Sequence, residues 1–217
     1  RIVIIGENTH YWYVSYMTML CGVGIAVPVD KELPENEIEN VIKRSKASAV
    51  IFSTKKADII KKVSENLPDV KYFIQMNSKE SLKNRFVGIE YLIEEGKTLV
   101  ANGDDSYMDI EVDPDEFKVL LFTSGTTSKS KAVMLSNYNI ASNIYNMDMC
   151  EKILSTDVNM AFLPFHHTFG STGLPLFLSH GATNVFCDGL RHIQENLKEY
   201  HVTVFVCVPL LLEAMYK

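Results

Sequence analysis

Residues 122–136 read FTSGTTSKSKAVMLS, a concentration of anion-binding groups on one short segment. Thr123, Ser124, Thr126 and Thr127 supply hydroxyls, and Lys129 and Lys131 supply ammonium groups. Gly125 lets backbone N–H groups approach an oxyanion closely, and successive amides in such a turn form a nest. Lysine adds a mobile positive charge. Together these groups suit a polyanion such as a nucleoside triphosphate. A solvated Ser/Thr turn between two strands has the same composition, so the segment alone leaves both readings open. It is not the P-loop of GTPases and ATPases, which needs glycine directly before a lysine that opens a helix. Here Ser130 precedes Lys131, and the apolar run Val133–Leu135 that follows reads as a strand.

The second group with chemical potential is His166 and His167, flanked by Phe165 and Phe169. They read either as two histidines packed in an aromatic patch or as a functional donor pair. Zinc is a poor fit, because adjacent histidines do not readily ligate one ion and no HExxH or nearby cysteine pair is present. Cys21, Cys150, Cys187 and Cys207 are far apart and sit among apolar residues, so they read as buried, reduced thiols rather than a disulfide framework.

The elements that must position these groups alternate. Strands are predicted at Ile2–Ile5, Ile25–Val29, Ala49–Ser53, Val70–Gln75 and Lys118–Thr123, then at Val133–Leu135, Asn159–Leu163, Asn184–Cys187 and Val202–Val208. Amphipathic helices fall between most of them. Pro34 opens one helix, Ser136 caps another and Pro209 starts the last. Short apolar strands alternating with helices imply an α/β fold of mostly parallel sheets covered on both faces. Residues 77–116 are more polar and acidic, and a loop-rich connection is expected there. Lobes of 1–116 and 117–217 would follow.

A chain of 217 residues can bury one large core or two small ones. Its net charge of −6 argues against nucleic acid as a partner. RIVIIG at the start reads as a buried strand rather than a secretory leader, and Val202–Leu212 is too short to span a bilayer and contains Pro209. The abrupt start and finish suggest a piece of a longer protein. Tyr11, Trp12, Tyr13 and Tyr16 are spaced as helix packing rather than as a base-stacking platform. The acidic run Asp104–Glu116 fails the EF-hand pattern, since Pro114 takes the glycine position, and reads as a solvated linker. Met17, Met19, Met147 and Met149 read as core filling. His10, His180, His192 and His201 are scattered and carry no assigned role.

The 122–136 segment resembles the phosphate-binding loop of the adenylate-forming family, which includes acyl-CoA synthetases, luciferases and peptide-synthetase adenylation domains. The family pattern is a hydrophobic residue, TSGTTG, any residue, PKG and an apolar strand. This chain keeps Thr123, Ser124, Gly125, Thr126, Thr127 and Lys131, and departs at Ser128, Ser130 and Ala132. The resemblance extends through Asn8, Trp12, Gly22 and Pro28, through LPFHHTFGSTG at 163–173 and through VFVCVPLLLEAM at 204–215. It implies part of the large amino-terminal domain of an adenylate-forming enzyme, most like a long-chain fatty-acid–CoA ligase, with the carboxy-terminal domain lying outside the chain.

The resemblance also implies roles. Thr123–Thr127 and Lys131 would hold the ATP phosphates. His167 would lie near the acyl carboxylate and act in catalysis, and Phe169 would line the acid pocket. No aspartate stands in 163–173 to pair an α-ammonium, which favours a fatty acid over an amino acid. ATP, Mg²⁺ and coenzyme A would be the co-substrates and cofactor, with no metal ligand in this segment. A cytoplasmic protein without a transmembrane span, with room for peripheral membrane contact, is expected. An acyl-carrier-protein ligase and a non-catalytic nucleotide-binding module of the same fold are the alternatives.

Overall fold

The computed structural model describes residues 1–123 and 131–216. The chain divides into two compact units, Arg1–Tyr138 and Asn139–Lys217. The division falls later than the 116/117 boundary expected from sequence because the strands on either side of residues 124–130 complete the first unit's sheet.

In the first unit β1 (Ile2–Ile5) leads into α1 (His10–Thr18). Thr9 caps this helix by accepting the Trp12 N–H at 3.3 Å. Trp12, Tyr13 and Tyr16 are buried, as their spacing requires, and Trp12 stacks on Tyr16 at 5.4 Å. The helix continues as a π-turn, Met19–Val23, that ends through Gly22 at φ 117°. A side chain at Gly22 would also collide with Ile110, whose Cγ2 is 2.2 Å from the Cβ position.

Then come β2 (Ala26–Val29), α2 (Glu35–Ser45), β3 (Ala49–Phe52), α3 (Ala57–Ser64) and β4 (Tyr72–Gln75). Pro34 stands one residue before α2 as its cap. The segment expected to be loop contains β5 (Phe86–Gly88) and α4 (Ile89–Ala101). Its signal was weak for physical reasons. Three residues are too few to show alternation, and α4 buries only Ile89 while Leu92, Ile93, Leu99 and Val100 stay exposed. The acidic run beyond it is exposed, as expected of a solvated linker.

β6 (Phe117–Thr123) and β7 (Lys131–Ser136) close the sheet in the order β5-β4-β3-β1-β2-β6-β7. All pairs are parallel except β6–β7. β2 joins β6 through Ala26↔Val119. Pro28, two residues on, has no N–H to extend a ladder. Val3, Ile5, Val27, Val50, Phe52 and Phe73 form the core with Ile38 and Ile42 of α2 and Ile60 of α3.

After α5 (Asn137–Asp148), the second unit places β8 (Val158–Ala161), α6 (Thr168–Ser179), β9 (Thr183–Phe186), α7 (Ile193–Glu199) and α8 (Pro209–Tyr216). β8 and β9 are parallel. The strand expected at Val202–Val208 is reduced to one bridge, Asn159↔Val204. Its ladder to β8 stops after three backbone bonds: Thr203 and Val204 donate to the Val158 carbonyl, and Met160 donates to the Val204 carbonyl. Pro209 starts the last helix as its residue type predicts.

The cysteines are a correction. They are free, but Cys21 and Cys150 are exposed and Cys187 and Cys207 only partly covered. Apolar sequence neighbours did not bury them because Cys21 lies on the π-turn and Cys150 follows the end of α5. Met149 is likewise 71% exposed rather than core. Among the described residues, no helix is long and apolar enough to cross a membrane.

Candidate functional site

β6 is built from residues that favour a pleated, buried surface, and Val119 and Leu120 anchor it in the core. Lys118, 4% exposed, is held at the base by Glu116 at 2.9 Å, beside an irregularity in the β6–β7 register. From that base the two strands run antiparallel to the paired ends Thr123↔Lys131. Both end residues are exposed, and the Thr123 hydroxyl reaches the Lys131 carbonyl at 3.5 Å. The sheet therefore presents a hydroxyl and an ammonium-bearing side chain at the two posts of one hairpin. Lys131 opens a strand, in accord with the exclusion of a P-loop. The other predicted loop residues, Ser124, Gly125, Thr126 and Thr127, lie outside the described residues, as do Ser128 and Ser130.

In the second unit, β8 delivers the chain into a tight turn at Pro164–His167, where the His167 N–H donates to the Pro164 carbonyl at 3.1 Å. His167 is exposed, has extended backbone (φ −95°, ψ 145°) and occupies the N-cap position of α6. Its carbonyl accepts the Ser171 N–H at 3.0 Å, and its ring lies 4.2 Å from that of His166. Its side chain makes no capping bond. Ser171 and Thr172 are buried and return their hydroxyls to carbonyls of the first turn, Thr172 to Thr168 at 2.7 Å. At Gly170 the helix comes close to the turn, with the Pro164 and Leu163 carbonyls where a Cβ would stand.

Phe169 is half-exposed and lines a cavity of about 20 Å³ with Phe165, Gly170, Gly173, Leu174 and Phe177. His167 stands on the adjoining turn and is not part of that lining. The fold thus places Phe169 at an apolar cavity and His167 at the head of the helix beside it. Sequence reading missed Asn159, which also lines the cavity and is 4% exposed. The available signal was an amide inside the otherwise apolar strand VNMA. Among the described residues, no group of three His, Cys, Asp or Glu converges as a metal site.

Comparison with known proteins adds a consistent set of likenesses. A family model described as AMP-binding enzyme matches residues 1–217. The chain is 30% identical over 228 residues to long-chain-fatty-acid–CoA ligase 5 of Rattus norvegicus, an alignment covering 99% of this chain and 33% of that protein. A natural red-emitting luciferase from Phrixothrix hirtus superposes with a TM-score of 0.81 at 18% identity, over 98% of this chain and 43% of that one. The amino-terminal domain of FACL13 from Mycobacterium tuberculosis superposes with a TM-score of 0.76 at 16% identity, over 100% of this chain and 51% of that one. The two structural likenesses show a shared fold. The chain spans about a third of the length of the curated relative it matches.

Proposed function

Because this chain belongs to the AMP-binding enzyme family, we propose that it forms part of the amino-terminal domain of an enzyme that activates a fatty acid with ATP. The carboxylate oxygen attacks the α-phosphorus, the bond to the β-phosphate breaks, and pyrophosphate leaves. The thiol of coenzyme A then attacks the acyl-adenylate carbonyl, and AMP leaves. The proposed compartment is the cytoplasm.

The observation that carries this reading is the hairpin whose exposed ends are Thr123 and Lys131. In the proposal, the hydroxyl of Thr123, the ammonium of Lys131 and the Ser124–Thr127 segment hold the β and γ phosphates. They oppose charge building on the departing pyrophosphate, which is electrostatic transition-state stabilisation. Mg²⁺ accompanying ATP would supply further charge neutralisation on the phosphates. His167 stands where the first-turn N–H groups of α6 are also free of intrahelical partners, a setting that favours an anion. There it would hold the acid's carboxylate for in-line attack. Phe169 would line the acid pocket.

Acid-dependent ATP–pyrophosphate exchange on the full-length protein tests the reading. Exchange stimulated by fatty acids and not by amino acids supports it. Silence with every acid, from folded protein that binds ATP, replaces it with a nucleotide-binding module. Coenzyme A and an acyl carrier protein, offered in turn to the acyl-adenylate, identify the acceptor.

A further inference from the structure

Arg44 links α2 to the hairpin that carries Thr123 and Lys131. Its guanidinium carbon lies 5.1 Å from the centre of the Phe122 ring. At that separation a cation is attracted to the face of an aromatic ring. α2 gives the contact a firm base. Ile38, Val41, Ile42 and Ser45 of the helix are buried, and Arg44 stands in its last turn, where the helix dipole favours a cation.

Phe122 is the residue before Thr123, and its register partner on β7 is Ala132. This pair is the last rung below the posts Thr123↔Lys131. Phe122 and Leu120 share one face of β6, and both pack on the core cluster to which α2 contributes. The Phe122 ring is only partly buried there. The methyl of Ala132 is too small to cover a phenyl ring from across the ladder. A guanidinium held on a buried helix supplies cover at that rung, and the rung fixes the strand end from which Thr123 projects. Misplacing a binding group by about 1 Å can cost on the order of 100-fold in rate.

We infer that Arg44 is a positioning residue for the phosphate hairpin: by holding the Phe122 ring to α2, it sets where the Thr123 hydroxyl and the Lys131 ammonium stand. In this role it acts through the ring and not on the reacting atoms. The inference rests on the adenylation reading.

The full-length protein is assayed for ATP–pyrophosphate exchange with its best fatty acid, as wild type and as Arg44→Ala, Arg44→Lys and Arg44→Met. Arg44→Ala is expected to lower kcat about 10-fold while KM for the acid and the melting temperature stay near wild type. Arg44→Lys keeps a cation for the ring and should recover part of kcat, whereas Arg44→Met keeps only the length and should not. Phe122→Leu closes the cycle. With the ring gone, adding Arg44→Ala should cost little further, because the two residues act as one unit. An unchanged kcat in Arg44→Ala would overturn the inference alone. An Arg44→Ala loss just as large in the Phe122→Leu protein would also overturn it, and would put the guanidinium on the nucleotide itself. Should Phe122→Leu fail to fold, the other pair decides, since equal rates in Arg44→Lys and Arg44→Met would overturn the inference. Silence of the wild type with every acid would overturn the adenylation reading and this inference with it.

Discussion

A Cβ added to Gly170 would stand 2.2 Å from the carbonyl oxygen of Pro164. That oxygen is fixed, because it also accepts the His167 N–H at 3.1 Å. Only glycine lets the first turn of α6 fold down onto the turn that carries His167. Gly170→Ala should therefore force backbone apart and lower stability by about 1–3 kcal/mol. A urea midpoint equal to wild type would show that the helix can shift without cost, and would remove the steric account of this glycine.

Lys131→Ala separates binding from folding. The side chain is exposed at the head of an edge strand, so its loss should leave the melting temperature almost unchanged. If it opposes charge on pyrophosphate, exchange should fall about 100-fold or more. Full exchange activity in a Lys131→Ala protein would take the phosphate role away from this hairpin post.

The sheet order was not legible in the sequence, but most of its strands were. Runs such as AVPV and AVIF are buried throughout and therefore carry no competing pattern. The 122–136 segment announced the strand that ends it, Lys131–Ser136. Failures came where burial and sequence disagree. α4 is a helix with most of its apolar residues exposed, and the residues after Val204 are apolar yet form no ladder. Phe169 was legible as a pocket residue through the family resemblance. Asn159 was not, because it sits in an apolar strand and its amide partner Asn184, 25 positions away, is brought alongside only by strand register.

Arg85 ties the end of α3 to the sheet. Its guanidinium donates to the carbonyls of Leu67 and Val70 at 2.8 Å each and of Ser64 at 3.1 Å, and it lies 5.1 Å from the centre of the Phe73 ring. These are helix-end and loop carbonyls, of which those of Ser64 and Leu67 each accept one further backbone N–H, from Leu67 at 3.2 Å and from Val70 at 3.3 Å. Arg85→Ala should cost about 2–4 kcal/mol, from lost charge-assisted bonds and the lost ring contact. Arg85→Lys should recover only part, since an ammonium cannot span all three carbonyls. Equal urea midpoints for the two variants would contradict that geometry.

Asp157 gives the second unit an acid-sensitive joint. Its carboxylate accepts the Leu154 N–H at 2.8 Å and the Thr203 hydroxyl at 2.7 Å, and these bonds hold its pKa below the ordinary aspartate value. A carboxyl whose folded pKa is depressed stabilises fully above its unfolded pKa, about 3.9, and the effect fades as pH falls through the folded pKa. Wild type should therefore exceed Asp157→Ala in urea midpoint at neutral pH, and the difference should shrink only on the acid side of the normal aspartate range. A difference that persists undiminished as the pH falls well below that range would mean the ionised carboxylate is not what matters.

His167→Ala tests the catalytic assignment directly. The ring is exposed and makes no capping bond, so removal should change stability by no more than about 0.5 kcal/mol. The backbone bonds that shape the turn, from the His167 N–H to Pro164 and from Ser171 to the His167 carbonyl, survive the substitution. If the imidazole holds the acid's carboxylate for attack, kcat/KM for the acid should drop by about 100-fold or more while ATP affinity changes little. Measuring both constants in the full-length protein distinguishes the outcomes. An equal loss in ATP affinity would move His167 from the acid to the nucleotide, and an unchanged kcat/KM would return it to an aromatic patch with His166.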